Sequence, residues 1–189
     1  GSINSTSNNT IILLSGNSTF TGYSGAINTG LIFLGFTINI NSVTTSITNN
    51  FRLESNVTLK RTAGTVTVTT CNLGLRGSNI TLDTNTIQWT SFSTATAGSG
   101  VTLLSDLNIT GNFTNAILST FTGSFNINVS GSLIQTAILN GTGVPATTPT
   151  IVLNGTGTWS QTTGHLSTNL TINTAGTITI TGTVSFLLG

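Results

Sequence analysis

The chain has 189 residues, four basic and three acidic side chains, a net charge of +1 and only 4% charged residues, against about a quarter in an ordinary globular protein. This balance argues against an electrostatic footprint for nucleic acid or an anionic membrane surface. A hydrophobic content of 37% and a mean hydropathy of +0.33 argue against the low-hydrophobicity, high-charge signature of disorder. The chain should therefore fold as one domain over 1–189 with a polar surface of hydroxyls and amides. With few charges to keep copies apart, self-association is expected.

The chain opens Gly1-Ser2 and contains no Met, which reads as an excised fragment or a processed chain. Residues 1–16 read as a terminal strand or arm. The longest apolar runs, Ile11 to Leu14 and Leu31 to Leu34, are far too short to span a bilayer as helices. From there the chain repeats itself. Asn56-Val57-Thr58-Leu59 returns as Asn79-Ile80-Thr81-Leu82, and the longer phrase Asn56 to Thr69 returns, one residue shorter, as Asn169 to Thr181. Taking the first apolar residue of each unit gives 11, 36, 57, 80, 107, 125, 151 and 170, a drifting period near 23. Such a period suits stacked supersecondary units joined by turns of variable length.

Within each unit the apolar period is two, as in Thr65-Val66-Thr67-Val68-Thr69. The β-branched Thr, Val and Ile favour a pleated surface, and Ala63-Gly64, Gly74, Gly98-Ser99-Gly100, Asn140-Gly141, Asn154-Gly155 and Ala175-Gly176 read as turns. No stretch carries helical spacing. The expectation is an all-β parallel β-solenoid of about eight coils, a rod roughly 40 Å long at about 4.8 Å per coil. The alternative is a β-sandwich with antiparallel strands. The solenoid places Lys60 and Asp83 on adjacent rungs. It also groups Arg52, Glu54, Lys60, Arg61, Arg76 and Asp83 into one exposed ion-pair patch.

Residues for catalysis are scarce. Glycoside cleavage needs two carboxyls about 5–9.5 Å apart, and Glu54, Asp83 and Asp106 fall at different phases of the repeat. His165, the single histidine, has no acid partner or further metal ligand near it in sequence and reads as a turn residue. Cys71 is alone, so it makes no disulfide framework and reads as a small buried hydrophobe. These observations predict no catalytic residues, no metal and no cofactor. Trp89 and Trp159 are the candidate surface contacts: exposed, they would stack on a glycan, and otherwise they pack at a coil corner. The arrays Thr65/Thr67/Thr69 and Thr177/Thr179/Thr181 suggest an ice-binding plane, but the intervening units do not repeat them. Sequons at Asn4, Asn8, Asn17, Asn56, Asn79, Asn108, Asn112, Asn128, Asn140, Asn154 and Asn169 matter only where the source glycosylates asparagine.

The stretches Ile151 to Ser160, Asn169 to Ile178 and Leu104 to Asn112 resemble repetitive β-solenoid structural proteins of marine phages, the shafts of tail fibres and adhesins. The resemblance covers residues 50–189. It implies a non-enzymatic segment of a virion appendage or extracellular fibre, a virion or extracellular location, and a homo-oligomer or cell-surface glycan as partner. The rival readings are a secreted filament subunit that assembles by strand complementation, with residues 1–16 as donor, and a carbohydrate- or ice-binding module.

Overall fold

The computed structural model describes residues 11–21, 25–27, 30–40, 44–47, 50–95, 99–139, 147–163, 165–166 and 168–184. Among them every strand ladder is parallel and no residue is helical. The fold is a parallel β-solenoid, and the sandwich alternative, which needs antiparallel pairs, is excluded.

Each turn lays short strands on three faces. The first face stacks the leading parts of Ile11–Thr21 and Gly30–Ile40, then Phe51–Leu53, Asn72–Leu75, Ser91–Thr94, Phe113–Asn115, Leu133–Gln135, Gly157–Gln161 and Ile178–Gly182. The second stacks the trailing parts of the same two long strands, then Thr58–Arg61, Ile80–Asp83, Ser99–Leu103 and Ser119–Thr122. Among the described residues it continues as single bridges at Leu139 and Leu166. The third face holds Gly25–Ile27, Thr44–Ile47 and Thr65–Val68, and then, as a separate sheet, Gln88–Trp89, Leu107–Ile109, Asn126–Val129, Thr150–Leu153 and Leu170–Ile172.

On the first face Ile12, Leu31, Phe51, Leu73, Phe92, Phe113, Leu133, Trp159 and Ile180 pair in succession. The steps are 19, 20, 22, 19, 21, 20, 26 and 21 residues, a mean of 21, with six turns between Leu31 and Trp159. The period is thus 21 rather than 23. The difference has a physical origin: every face uses the same inward–outward alternation, so the recurring phrase marks a strand and not a particular face. Val57 and Ile80 belong with the second face, whereas Leu107 and Ile151 lie on the third. The 27-residue gap between Ile80 and Leu107 is therefore a turn plus a change of face. The long repeat beginning at Asn56 and Asn169 is displaced in the same way. Its first copy covers faces two and three and its second covers faces three and one.

Lys60 and Asp83 do sit opposite each other on adjacent rungs. The charged residues nevertheless divide between two faces. Arg52 lies within a first-face strand and Glu54 and Arg76 just past the ends of theirs, whereas Lys60, Arg61 and Asp83 lie at the end of second-face rungs. Among the described residues the one ion pair is Arg52 Nε with Glu54 Oε1, so the expected single patch does not form. Of the expected terminal arm, residues 1–10 lie outside the described residues. Ile11–Ser15 pair in parallel with Gly30–Leu34 of the same chain.

Inward positions fill the rod. Leu53, Leu59, Leu73, Leu82, Phe113, Ile127 and Ile151 are all buried. Phe92, Phe113 and Phe121 form a three-ring cluster with centroids 5.3, 6.2 and 6.0 Å apart. Phe51 bridges Phe33 at 5.5 Å and Trp89 at 6.0 Å. Tilted and edge-on contacts at such separations are the preferred aromatic geometry. Turns between Phe51–Leu53 and Thr58–Arg61, and between Asn72–Leu75 and Ile80–Asp83, use left-handed Asn56 (φ 60°) and Asn79 (φ 57°), a conformation asparagine tolerates better than other side-chain-bearing residues.

Candidate functional site

Trp89 and Trp159 are 0% and 1% exposed, so neither can stack on a glycan, and the expected surface contact is corrected. Each occupies an inward position of its strand, where burial of a large ring fills a rung. They also lie on different faces, Trp89 on the third and Trp159 on the first. The threonine arrays are separated in the same way: Thr65 and Thr67 face outward from the third face, Thr179 and Thr181 from the first. They cannot share a plane. The aligned hydroxyls instead form a single file on the second face, Thr37, Thr58, Thr81, Thr102 and Thr122, each opposite the next.

Glu54 lies at the corner between the first and second faces, whereas Asp83 and Asp106 lie on adjacent turns at the corner between the second and third. Glu54 pairs with Arg52, Asp83 ends a second-face rung, and Asp106 Oδ1 accepts the Asn126 N–H at 2.8 Å. Among the described residues no group of three or more His, Cys, Asp or Glu side chains is placed to hold a metal ion. His165 acts through its backbone: its carbonyl accepts from Leu139 N–H at 3.2 Å and from Gln135 Nε2 at 2.8 Å. Cys71 is buried. Burial pushes its thiol up from 9.0 to about 12, against a weaker downward pull from a backbone hydrogen bond with Phe51. It therefore stays a neutral thiol near pH 7, unlike the lowered thiols of reactive cysteines. Several sequon asparagines are engaged in ladder bonds: Asn79 Nδ2 donates to Asn56 Oδ1 at 3.1 Å, and Asn128 Nδ2 to Asn108 Oδ1 at 2.9 Å.

Sequence reasoning missed a buried polar column. The inward file Phe33, Leu53, Leu75 turns polar as it continues through Thr94, Asn115, Gln135 and Gln161, all four of them buried. Thr94 Oγ1 donates to Asn115 Oδ1 at 2.9 Å. Asn115 Nδ2 donates to the Ala137 carbonyl at 3.1 Å. This column runs beside the stretch where second-face strands give way to single bridges. There the side-chain amides of Asn115 and Gln135 donate to the backbone carbonyls of Ala137 and His165, which gives these buried amide nitrogens the partners they need.

A depression with charged lining lies outside the first face, among Asn50, Phe51, Arg52, Asn72, Gly74, Arg76, Ser93 and Ala95. Its floor is Gly74, which sequence reasoning took for a turn and which lies inside the strand Asn72–Leu75. Gly74 is flanked in the outward file by Arg52 and Ser93. Asn72 N–H donates to Asn50 Oδ1 at 2.9 Å, and Asn72 Nδ2 to Ser93 Oγ at 3.0 Å.

Fold and surface define the class, a parallel β-solenoid repeat protein. No family model, no curated protein and no solved structure matches the chain.

Proposed function

We propose that the chain is a non-enzymatic structural segment of a virion appendage or extracellular fibre, with its own copies and a cell-surface glycan as partners. The observation that supports this most is the first face, whose nine rungs are in parallel register from Ile11–Thr21 to Ile178–Gly182 with no interruption. Their hydrogen bonds run along the rod, so each rung ties the next and the whole resists bending. An exterior of threonine, asparagine and serine keeps such a rod hydrated without charge.

A second reading, end-to-end assembly, is favoured by the last rungs. By register Ile172 continues the buried file of Leu153, and Ile180 that of Trp159. Yet Ile172 is 51% and Ile180 52% exposed. Among the described residues no strand pairs beyond Leu170–Ile172 or Ile178–Gly182; an apolar cross-section next to such edges recruits another layer, and a second copy of the rod supplies one with matching spacing. Sedimentation velocity tests both readings. The wild-type chain is expected to run as an elongated oligomer, and the Ile172→Asn, Ile180→Asn double variant as an elongated monomer. A compact wild-type monomer would contradict the fibre reading. An oligomer that survives the double substitution would contradict the end-to-end contact.

A further inference from the structure

We propose that the groove over Gly74 binds an acidic saccharide, with the anionic group of the sugar held between Arg52 and Arg76. The chain has only four basic residues, and two of them line this one depression. Arg52 gives Nε to Glu54, and among the described residues neither its terminal nitrogens nor any part of the Arg76 guanidinium meets a hydrogen-bond acceptor or an ion-pair partner. Arg76 also follows directly on the rung above Glu54, yet Glu54 is taken by Arg52, so Arg76 remains exposed with its charge unmatched. Guanidinium forks suit the geometry of carboxylate and sulfate oxygens.

Gly74 is the second observation. A Cβ at this position would meet only the Phe51 carbonyl and Ser93 Oγ, both at an ordinary 3.7 Å, and its φ is not among the positive ones. Neither close packing nor backbone conformation requires glycine there, and glycine inside a strand is unfavourable. From Ile32 onward, the other rungs of that outward file carry Ile32, Arg52, Ser93, Thr114, Ile134, Ser160 and Thr181. The missing side chain is what opens the groove. Around it Asn72 and Ser93 bond each other and Asn50 accepts through Oδ1, which leaves the Asn50 amide nitrogen and the remaining capacity of the Asn72 amide for sugar hydroxyls, so charge selects the acid group and the amides read the ring. This inference holds whether the rod is a fibre shaft or a free module.

Isothermal titration calorimetry with trigalacturonate, a heparin-derived tetrasaccharide and maltotriose tests it. Binding of trigalacturonate alone assigns a carboxylate, and binding of both acidic sugars assigns either anion. In each case affinity should fall steeply with added salt, and maltotriose should bind at least tenfold more weakly. Arg76→Gln, which removes a guanidinium, and Gly74→Thr, which fills the floor with a strand-favouring residue, should each weaken binding at least tenfold. Lys60→Gln on the second face should not change it. Circular dichroism checks that Gly74→Thr keeps the wild-type fold. Absence of binding by both acidic sugars, equal binding of maltotriose, or wild-type affinity in either groove variant would overturn the proposal.

Discussion

Phe113→Ala is expected to lower the stability of the rod by about 3–5 kcal/mol, the range for emptying a buried aromatic site. Phe113 is completely buried and touches both Phe92 and Phe121, with centroids 5.3 and 6.0 Å away. It therefore joins two rungs of the first face to one of the second. Truncation leaves a void that parallel ladders on both sides prevent from collapsing. In a solenoid, stability is approximately a sum of unit and neighbour terms, so the damage should be local. Amide exchange should accelerate most in Ser91–Thr94, Phe113–Asn115 and Ser119–Thr122. Urea denaturation gives the magnitude, with Phe125→Ala as the comparison because Phe125 is partly exposed. A loss below about 1 kcal/mol for Phe113→Ala would mean that the three rings do not form a packed core.

Gly131→Ala should destabilise by about 1–3 kcal/mol, the usual cost of overpacking, while Gly74→Ala should be neutral or stabilise by up to about 1 kcal/mol. Both change one glycine by one methyl, but the surroundings differ. Gly111, Gly131 and Gly157 stack at the corner between the third and first faces. A Cβ on Gly131 would lie 2.4 Å from the Gly111 carbonyl oxygen, and one on Gly157 would lie 2.5 Å from that of Gly131. The same corner holds the Gly131 N–H to Gly111 carbonyl bond at 3.0 Å, so a side chain would push apart two rungs that hydrogen-bond. Thermal unfolding of the two variants side by side checks the contrast. Equal effects would show that the corner is looser than the glycine stack requires.

Much of the architecture was legible in the residues. Alternation marked the strands, and the 23-residue step from Lys60 to Asp83 gave a true rung partner because both residues lie on the same face. Face assignment was hidden, because Thr-apolar-Thr is written alike on all three. Strand parity carried more than was taken from it. Trp89 sits between Gln88 and Thr90, and Trp159 between Thr158 and Ser160, so each occupies the inward, apolar phase and was destined for burial. The buried column had a signal too. Phe92-x-Thr94, Phe113-x-Asn115, Leu133-x-Gln135 and Trp159-x-Gln161 place a polar residue at inward parity four times in succession. The groove over Gly74 could not be read, since a glycine between hydrophobic residues looks like a turn until its neighbours on the rungs above and below are known.

The central claim, a parallel rod with 21-residue turns, is tested most directly by spin-label distances along the outward file of the first face. Labels go on Ile32→Cys with Thr114→Cys, and on Ile32→Cys with Ser160→Cys. Cys71, buried with its thiol pushed up to about 12, stays unlabelled. Four and six rungs separate the pairs, so double electron–electron resonance should give separations of about 19 and about 29 Å, growing in proportion to rung number at about 4.8 Å each. Two similar distances, or a shorter one for the pair more distant in sequence, would mean that the strands return on themselves, and would contradict the rod.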